Sequence, residues 1–176
     1  MATLHPNWHP LQIDPQNGEP YLRLPVPLDN IIITPPRLDD ADSLVKTLGH
    51  DDVVKWLTAI PKPYGLQDAE SWLEASKQQT DEVLRELDET HAGDPGTFVE
   101  RCPVRTIREC QADGTQVLIG SIGVGRCSFS YLEDEEMGKH LAVQNRSREV
   151  GDPDIIWEVG GKCSQPRFAK IGDGKV

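Results

Sequence analysis

One long amphipathic segment constrains the fold of this chain more than any other feature. From Gln67 to about Leu87, mostly apolar residues recur at helical spacing, while charged residues cover the other side. The segment therefore predicts a long surface helix with one buried side, on which Trp72 is a core residue. The residues of the buried stripe are Ala69, Trp72, Leu73, Ser76, Thr80, Leu84 and Leu87.

Shorter patterns predict the remaining elements. Asp39 or Asp40 is expected to cap the first helix, which Gly49 ends, and the turn at 112–115 joins two strands into a hairpin. The order of strands and helices predicts an α/β (α+β) fold. The predicted elements are a strand at 31–33, helices at 41–48 and 51–57, the long helix, strands at 102–108 and 117–124, a weak helix within 132–150 and a strand at 155–159.

The composition argues against several classes of partner. The net charge is −11, whereas nucleic-acid binding needs clustered Lys and Arg. No apolar run of about 18 residues predicts a membrane span, and residues 1–10 show no secretory signal. The four cysteines form no C-x-x-C pair and are interpreted as reduced thiols. We therefore expect a cytoplasmic protein that binds neither nucleic acid nor membrane.

The amino-acid composition of the chain changes at two places. Residues 1–27 are rich in Pro, Asn and Gln and predict an irregular N-terminal extension, with a short edge strand at most. His5 and His9 lie there in a proline-bounded stretch, so no metal site is predicted. Residues 28–160 hold the predicted domain. Residues 161–176 carry four basic side chains and one acidic side chain, and they predict an atypical basic tail without a core element.

Four strings in fixed order resemble the RimJ/RimL-like branch of the GNAT N-acetyltransferases. The central string combines an Asp-x-x-Val-x-x-Leu segment around Trp56, a Pro-x-Pro-Tyr sequence and an Asp-Ala-Glu-x-Trp-Leu helix start. A joint match of this kind is more specific than any one string. The strings are IIITPPRLDDADSL at 31–44, HDDVVKWLTAIPKPYGLQDAESWL at 50–73, DGTQVLIGSIGV at 113–124 and WEVG at 157–160.

This resemblance implies a GNAT-like mixed, mostly antiparallel sheet with helices on both faces. It implies transfer of an acetyl group from acetyl-CoA to an amine, either a protein N-terminus or a small amine. Glu158 would act as the general base that deprotonates the acceptor ammonium. Val159 and Gly160 would contact acetyl-CoA through their backbone, and Trp56 and Tyr64 would line the acceptor pocket.

The chain departs from the family pattern after residue 160. GNAT enzymes follow their fourth strand with an (Arg/Gln)-x-x-Gly-x-(Gly/Ala) loop that binds the CoA pyrophosphate at a helix N-terminus. Residues 161–168 lack this spacing. We therefore expect the C-terminal part of the fold to be missing, poor acetyl-CoA binding, and a protein partner or self-association at the uncovered sheet. The alternatives are a non-catalytic GNAT-derived binding or regulatory protein, a fragment of a longer enzyme, and an unrelated α+β scaffold.

Overall fold

A computed structural model describes residues 3–4, 8–49, 53, 60–89 and 98–163 of this chain. The expected substrate residue Trp56 and nearly all of the predicted helix at 51–57 lie outside this part. Of the expected basic tail only residues 161–163 are described, and they differ from the expectation because they continue the last strand of the sheet. Within the described part, no helix is both long enough and apolar enough to pass through a membrane.

The described strands form one seven-stranded sheet whose strands follow sequence order, and every neighbouring pair is antiparallel. The predicted α+β fold class is confirmed, and the described sheet is antiparallel throughout. The strands are β1 (Thr3–Leu4), β2 (Gln12–Ile13), β3 (Pro20–Arg23), β4 (Ile31–Thr34), β5 (Thr106–Cys110), β6 (Gln116–Arg126) and β7 (Trp157–Cys163).

The N-terminal stretch differs from the irregular extension expected for residues 1–27. It contributes β1, β2 and β3, and β3 pairs directly with β4. A turn between β2 and β3 brings this about, since Gly18 adopts a positive φ of 74° and donates its N–H to the Asp14 carbonyl at 2.8 Å. Strands of two to four residues show too little alternation to be recognised from sequence.

Three helices of the described part flank the sheet. These are α1 (Ala41–Leu48), which follows a 3-10 turn at Leu38–Asp40, α2 (Leu66–Glu89) and α3 (Glu135–Ser147). The predicted long helix is confirmed as α2. The Asp134 side chain accepts a hydrogen bond from the Met137 N–H at 2.9 Å, which caps α3 within the weakly predicted region.

The helix layer and the N-terminal stretch bury different residues of the sheet. Ala41 and Leu44 of α1 pack with Ala69 and Leu73 of α2, and Trp72 packs against this cluster, as its place on the helical stripe predicted. A second cluster consists of Leu11, Ile33 and Val104, packed against Trp8, Leu22, Leu24 and Ile122. A third consists of Cys127, Phe129 and Ala142 and holds α3.

A register shift divides β6 between the two larger clusters. Arg108 is opposite Leu118, but the neighbouring Ile107 is opposite Gly120, so Ile119 is an extra residue in β6. Because one extra residue reverses the alternation of side chains, Leu118 faces the helices and Ile122 faces the other side. The shift therefore decides which side chains of the glycine-rich half of β6 face α2.

Asp40 has a different role from the helix cap that we expected. Its side chain makes no capping hydrogen bond to α1. Instead, its carboxylate pairs with Arg108 of β5 through Nη1 at 2.8 Å and Nη2 at 2.5 Å. Arg108 Nε also donates to the Thr34 hydroxyl of β4 at 2.8 Å. This buried network therefore joins the helix layer to two central strands.

Candidate functional site

A cleft opens where β5 and β6 separate. At this end of the hairpin, the Ile122 N–H donates to the Arg105 carbonyl at 2.8 Å, just before β5 begins. β6 continues to Arg126, and β7 is its only strand partner there among the described residues. The cleft has a volume of about 540 Å³ and is lined by β6, by the loop 100–105 and by the middle of α2.

Three glycines and one glutamate share a face of the sheet at this cleft. In the register of β6 with β7, Gly123 is opposite Gly160 and Gly125 is opposite Glu158. Directly opposite residues and residues two apart in a strand point to the same face, so these four form one block. A Cβ placed on Gly125 or Gly160 would have no described atom within 4 Å. Glu158 is thus the one side chain of the block, beside open space.

The Glu158 carboxylate is oriented by Ser128, which lines the cleft. Its Oε2 atom accepts hydrogen bonds from the Ser128 N–H at 3.0 Å and from the Ser128 hydroxyl at 3.2 Å. Within the described part of the chain, Oε1 accepts no hydrogen bond. One carboxylate oxygen is therefore held in place, and the other is available to a ligand.

Two buried polar side chains position the strand that carries Glu158. The Asn145 amide oxygen accepts from the Ile156 N–H at 2.9 Å, and its Nδ2 donates to the Ile156 carbonyl at 2.8 Å. Arg126 Nη1 donates to the carbonyls of Asn145 at 2.6 Å and Arg148 at 2.8 Å. These bonds satisfy carbonyls at the C-terminal end of α3 and anchor β7 two residues before Glu158.

Arg105 stands near Gly123, at the other end of the block from Glu158. Its guanidinium carbon lies 5.6 Å from the centroid of the Trp72 ring. Its Nη2 atom lies 3.9 Å from the position that a Cβ on Gly123 would occupy. Among the described residues, no carboxylate forms an ion pair with Arg105. Arg105 therefore supplies a cation inside the cleft, and Glu158 supplies an anion at its border, where it binds the lining residue Ser128.

The structure distributes the expected site residues unevenly. Glu158 and Gly160 belong to the glycine block, whereas Val159 is on the opposite face, where it pairs with Val124 and is 68% exposed. Tyr64 packs beside the α1–α2 cluster and does not line the cleft. Burial, reinforced by the Asp68 carboxylate, raises the pKa of the Tyr64 phenol above its ordinary value.

The backbone of β7 decides which amides could meet an acyl group at its outer edge. The Cys127 N–H donates to the Ile156 carbonyl at 2.8 Å, and in the ladder that follows, residue 158 and every second residue after it point their N–H groups toward β6. The N–H of Val159 therefore points to the outer edge, and that of Gly160 points inward. A ligand at this edge could therefore accept a hydrogen bond from the Val159 N–H, whereas the Gly160 N–H faces β6.

Several site residues escaped the sequence analysis. Gly123 and Gly125 join the expected residue Gly160 in one open block only through the β6–β7 register. Arg105 lay within a predicted strand, and nothing in the sequence paired it with Trp72. A buried polar residue such as Asn145 carries no sequence signal, since its partners belong to a distant strand.

No group of three or more His, Cys, Asp or Glu side chains in the described ranges could hold a metal ion. The chain was also compared with known proteins. No family model, no curated protein and no solved structure matches it.

Proposed function

We propose that this chain is a GNAT-type N-acetyltransferase that transfers an acetyl group from acetyl-CoA to an amine. The observation that carries the proposal is the Glu158 carboxylate, which has one oxygen held by Ser128 and shares its face with three glycines that leave room for an acceptor. The order β4, α1, α2, β5, β6, β7 supports the same proposal, because it follows the strings that resemble the family.

The residues of the cleft suit the proton transfer that an amine acceptor needs. An ammonium must lose a proton before its nitrogen can attack a carbonyl carbon, and a carboxylate can accept that proton. Glu158 would take it on Oε1, while Ser128 keeps the side chain in place. When bound, acetyl-CoA supplies an activated acyl group, and the outward N–H of Val159 would donate a hydrogen bond to the acyl oxygen.

The same geometry would let the two substrates approach from different directions. The acceptor would enter through the cleft, over Gly123 and Gly125, because these residues present no side chain there. The acyl donor would lie along the outer edge of β7. Catalysis would then consist mainly of alignment, which can contribute several kcal/mol to lowering a barrier.

The second candidate is a non-catalytic binding or regulatory protein that uses the same cleft. It is favoured by the sequence after residue 160, since residues 161–168 lack the spacing of a pyrophosphate-binding loop. The two candidates differ in one respect, since only the enzyme needs Glu158 to accept a proton.

Acetyl transfer from labelled acetyl-CoA to a panel of N-terminal peptides tests the proposal. Replacing Glu158 by Gln removes the base while retaining the size of the side chain, and we expect kcat to fall about 100-fold. Glu86→Gln is the matched control, because Glu86 is an exposed residue of α2 with no contact to the cleft. Equal rates for wild type and Glu158→Gln would contradict the role of Glu158. Peptide binding without any transfer would favour the non-catalytic candidate.

We also propose a cytoplasmic location. The thiols are consistent with a reducing compartment, because Cys102 is exposed, Cys110 is half-buried and Cys127 is buried, and all three are unpaired. Detection of the tagged chain in the cytoplasmic fraction of its host cell checks this location.

A further inference from the structure

Arg105 is placed as a fixed cation rather than as a freely moving surface side chain. Its N–H donates to the Thr34 carbonyl at 2.9 Å, and its own carbonyl accepts from Ile122 at 2.8 Å, so its backbone is held by strands on both sides. The guanidinium lies over the Trp72 ring, which limits its rotamers further. The side chain is half-buried and lines the cleft.

The hydrogen-bonding capacity of this guanidinium is unused by the described part of the chain. A guanidinium has five N–H donors in a planar fork that matches a carboxylate, and stacking on an aromatic ring leaves its edges free to donate. The one carboxylate among the described residues that line the cleft is already paired, since Glu100 lies 3.1 Å from Arg126 Nε. Arg101, an exposed residue of the same cleft, also has no carboxylate partner among the described residues.

The positive charge is local, in a chain whose net charge is −11. An arginine side chain can bind an anionic group even in an acidic protein, and one guanidinium is enough to pair with one carboxylate. The other end of the glycine block carries Glu158. The cleft together with its border at Ser128 is therefore complementary to a ligand with a positive group at one end and a negative group at the other.

The spacing of the block sets the length of such a ligand. Arg105 approaches Gly123, whereas the Glu158 carboxylate is held by the Ser128 N–H, five residues farther along the chain. Five residues of extended chain span about 17 Å. In an extended peptide the α-amine and the side chain of the second residue lie about 7 Å apart, and a hydrogen bond of about 3 Å at each end brings the bridged distance to about 13 Å. The reach of the guanidinium from Gly123 and of the carboxylate from Ser128 supplies the remainder.

We propose that the acceptor is a peptide N-terminus with Asp or Glu at its second position, whose carboxylate binds Arg105 while its amine meets Glu158. This proposal rests on the proposed acetyl transfer, because it names the substrate of the same site. Recognition of the acidic side chain, however, is a binding property and can be measured without turnover.

The test compares two fluorescent peptides that differ only at the second residue, Asp in one and Asn in the other. We expect the wild-type chain to bind the Asp peptide about tenfold more tightly by fluorescence anisotropy at low salt, a factor typical of one charge-assisted pair. Arg105→Gln should abolish this preference, and Arg105→Glu should shift it toward a peptide with Lys at that position. Arg85→Gln is the control, since Arg85 is an exposed α2 residue with the same charge.

Each outcome decides one question. If the wild type does not prefer the Asp peptide, or if Arg105→Gln retains the preference with an unchanged melting temperature, the proposal is overturned. If the preference depends on Arg105 but no acetyl group is transferred, the acidic-peptide site stands and the proposed enzymatic function fails. δ-Aminovalerate is a small molecule that carries both charges, and it serves as a competitor. If it binds the cleft but neither peptide does, the peptide assignment is overturned.

Discussion

Replacing Arg108 by Met should destabilise this protein more than any other single loss of an ion pair that the structure describes. The side chains of Arg108 and Asp40 are 2% and 7% exposed, and they share two hydrogen bonds between the helix layer and the sheet, while Arg108 makes a third to Thr34 within the sheet. The substitution leaves the Asp40 carboxylate buried opposite an apolar group, because only the Arg37 N–H, at 3.1 Å, still donates to it.

The size of the loss follows from this burial. Removing one partner of a buried ion pair costs about 3–5 kcal/mol, because the remaining charge stays out of water without compensation. That is a large part of the roughly 5–15 kcal/mol by which a domain is stable. The pair between Arg37 and Glu19 is the internal comparison, since its side chains are 25% and 18% exposed. For Arg37→Met we expect a loss of about 1 kcal/mol.

Urea denaturation followed by circular dichroism measures both losses. The m-value should stay constant, so that the change in midpoint reports the change in the free energy of unfolding. The double variant Asp40→Leu with Arg108→Met removes both charges and should recover most of the stability, because no unpaired charge remains. A cost for Arg108→Met no greater than that for Arg37→Met would refute the argument that burial determines the effect.

Two further predictions concern the glycine block and the alkaline limit of stability. Gly160→Ala should change the free energy of unfolding by less than about 0.5 kcal/mol yet weaken peptide binding, whereas Gly161→Ala should cost about 1 kcal/mol, because its Cβ would lie 3.0 Å from the Ser121 carbonyl oxygen. Chemical denaturation and anisotropy on the two variants check this contrast. The raised pKa of Tyr64 means that the unfolded chain loses this proton first. The stability that protonated Tyr64 contributes should therefore be fully present below pH 10.0 and be lost as pH rises through the raised pKa. The melting temperature should fall over this range, and Tyr64→Phe should reduce the fall.

The parts of the fold that the sequence predicted well are those in which local pattern and tertiary packing agree. The long stripe predicted α2 to within one or two residues at each end, because apolar residues at helical spacing on one side are a local signal of a surface helix. The turn predicted at 112–115 is present in the structure. Gly114 has a positive φ of 87°, and its N–H donates to the Gln111 carbonyl at 3.0 Å. Such features depend on residues close together in the chain.

The boundaries of β5 show where local pattern was misleading. Residues 102–108 were predicted to form the strand, but β5 begins at Thr106. Cys102 is instead an exposed loop residue whose thiol donates to the Val104 carbonyl at 3.2 Å. Propensity cannot show where a strand loses its partner, and this loss of pairing opens the cleft.

The sequence alone determined the fold class, the long helix and the hairpin, and it drew attention to Glu158 on the last described strand. The tertiary structure alone decided that Asp40 pairs with Arg108, that Arg105 lies over Trp72, and that the glycines of two strands form one open face beside Glu158. The reason is physical: propensity and periodicity act over a few residues, whereas these contacts depend on strand register and on burial between distant segments.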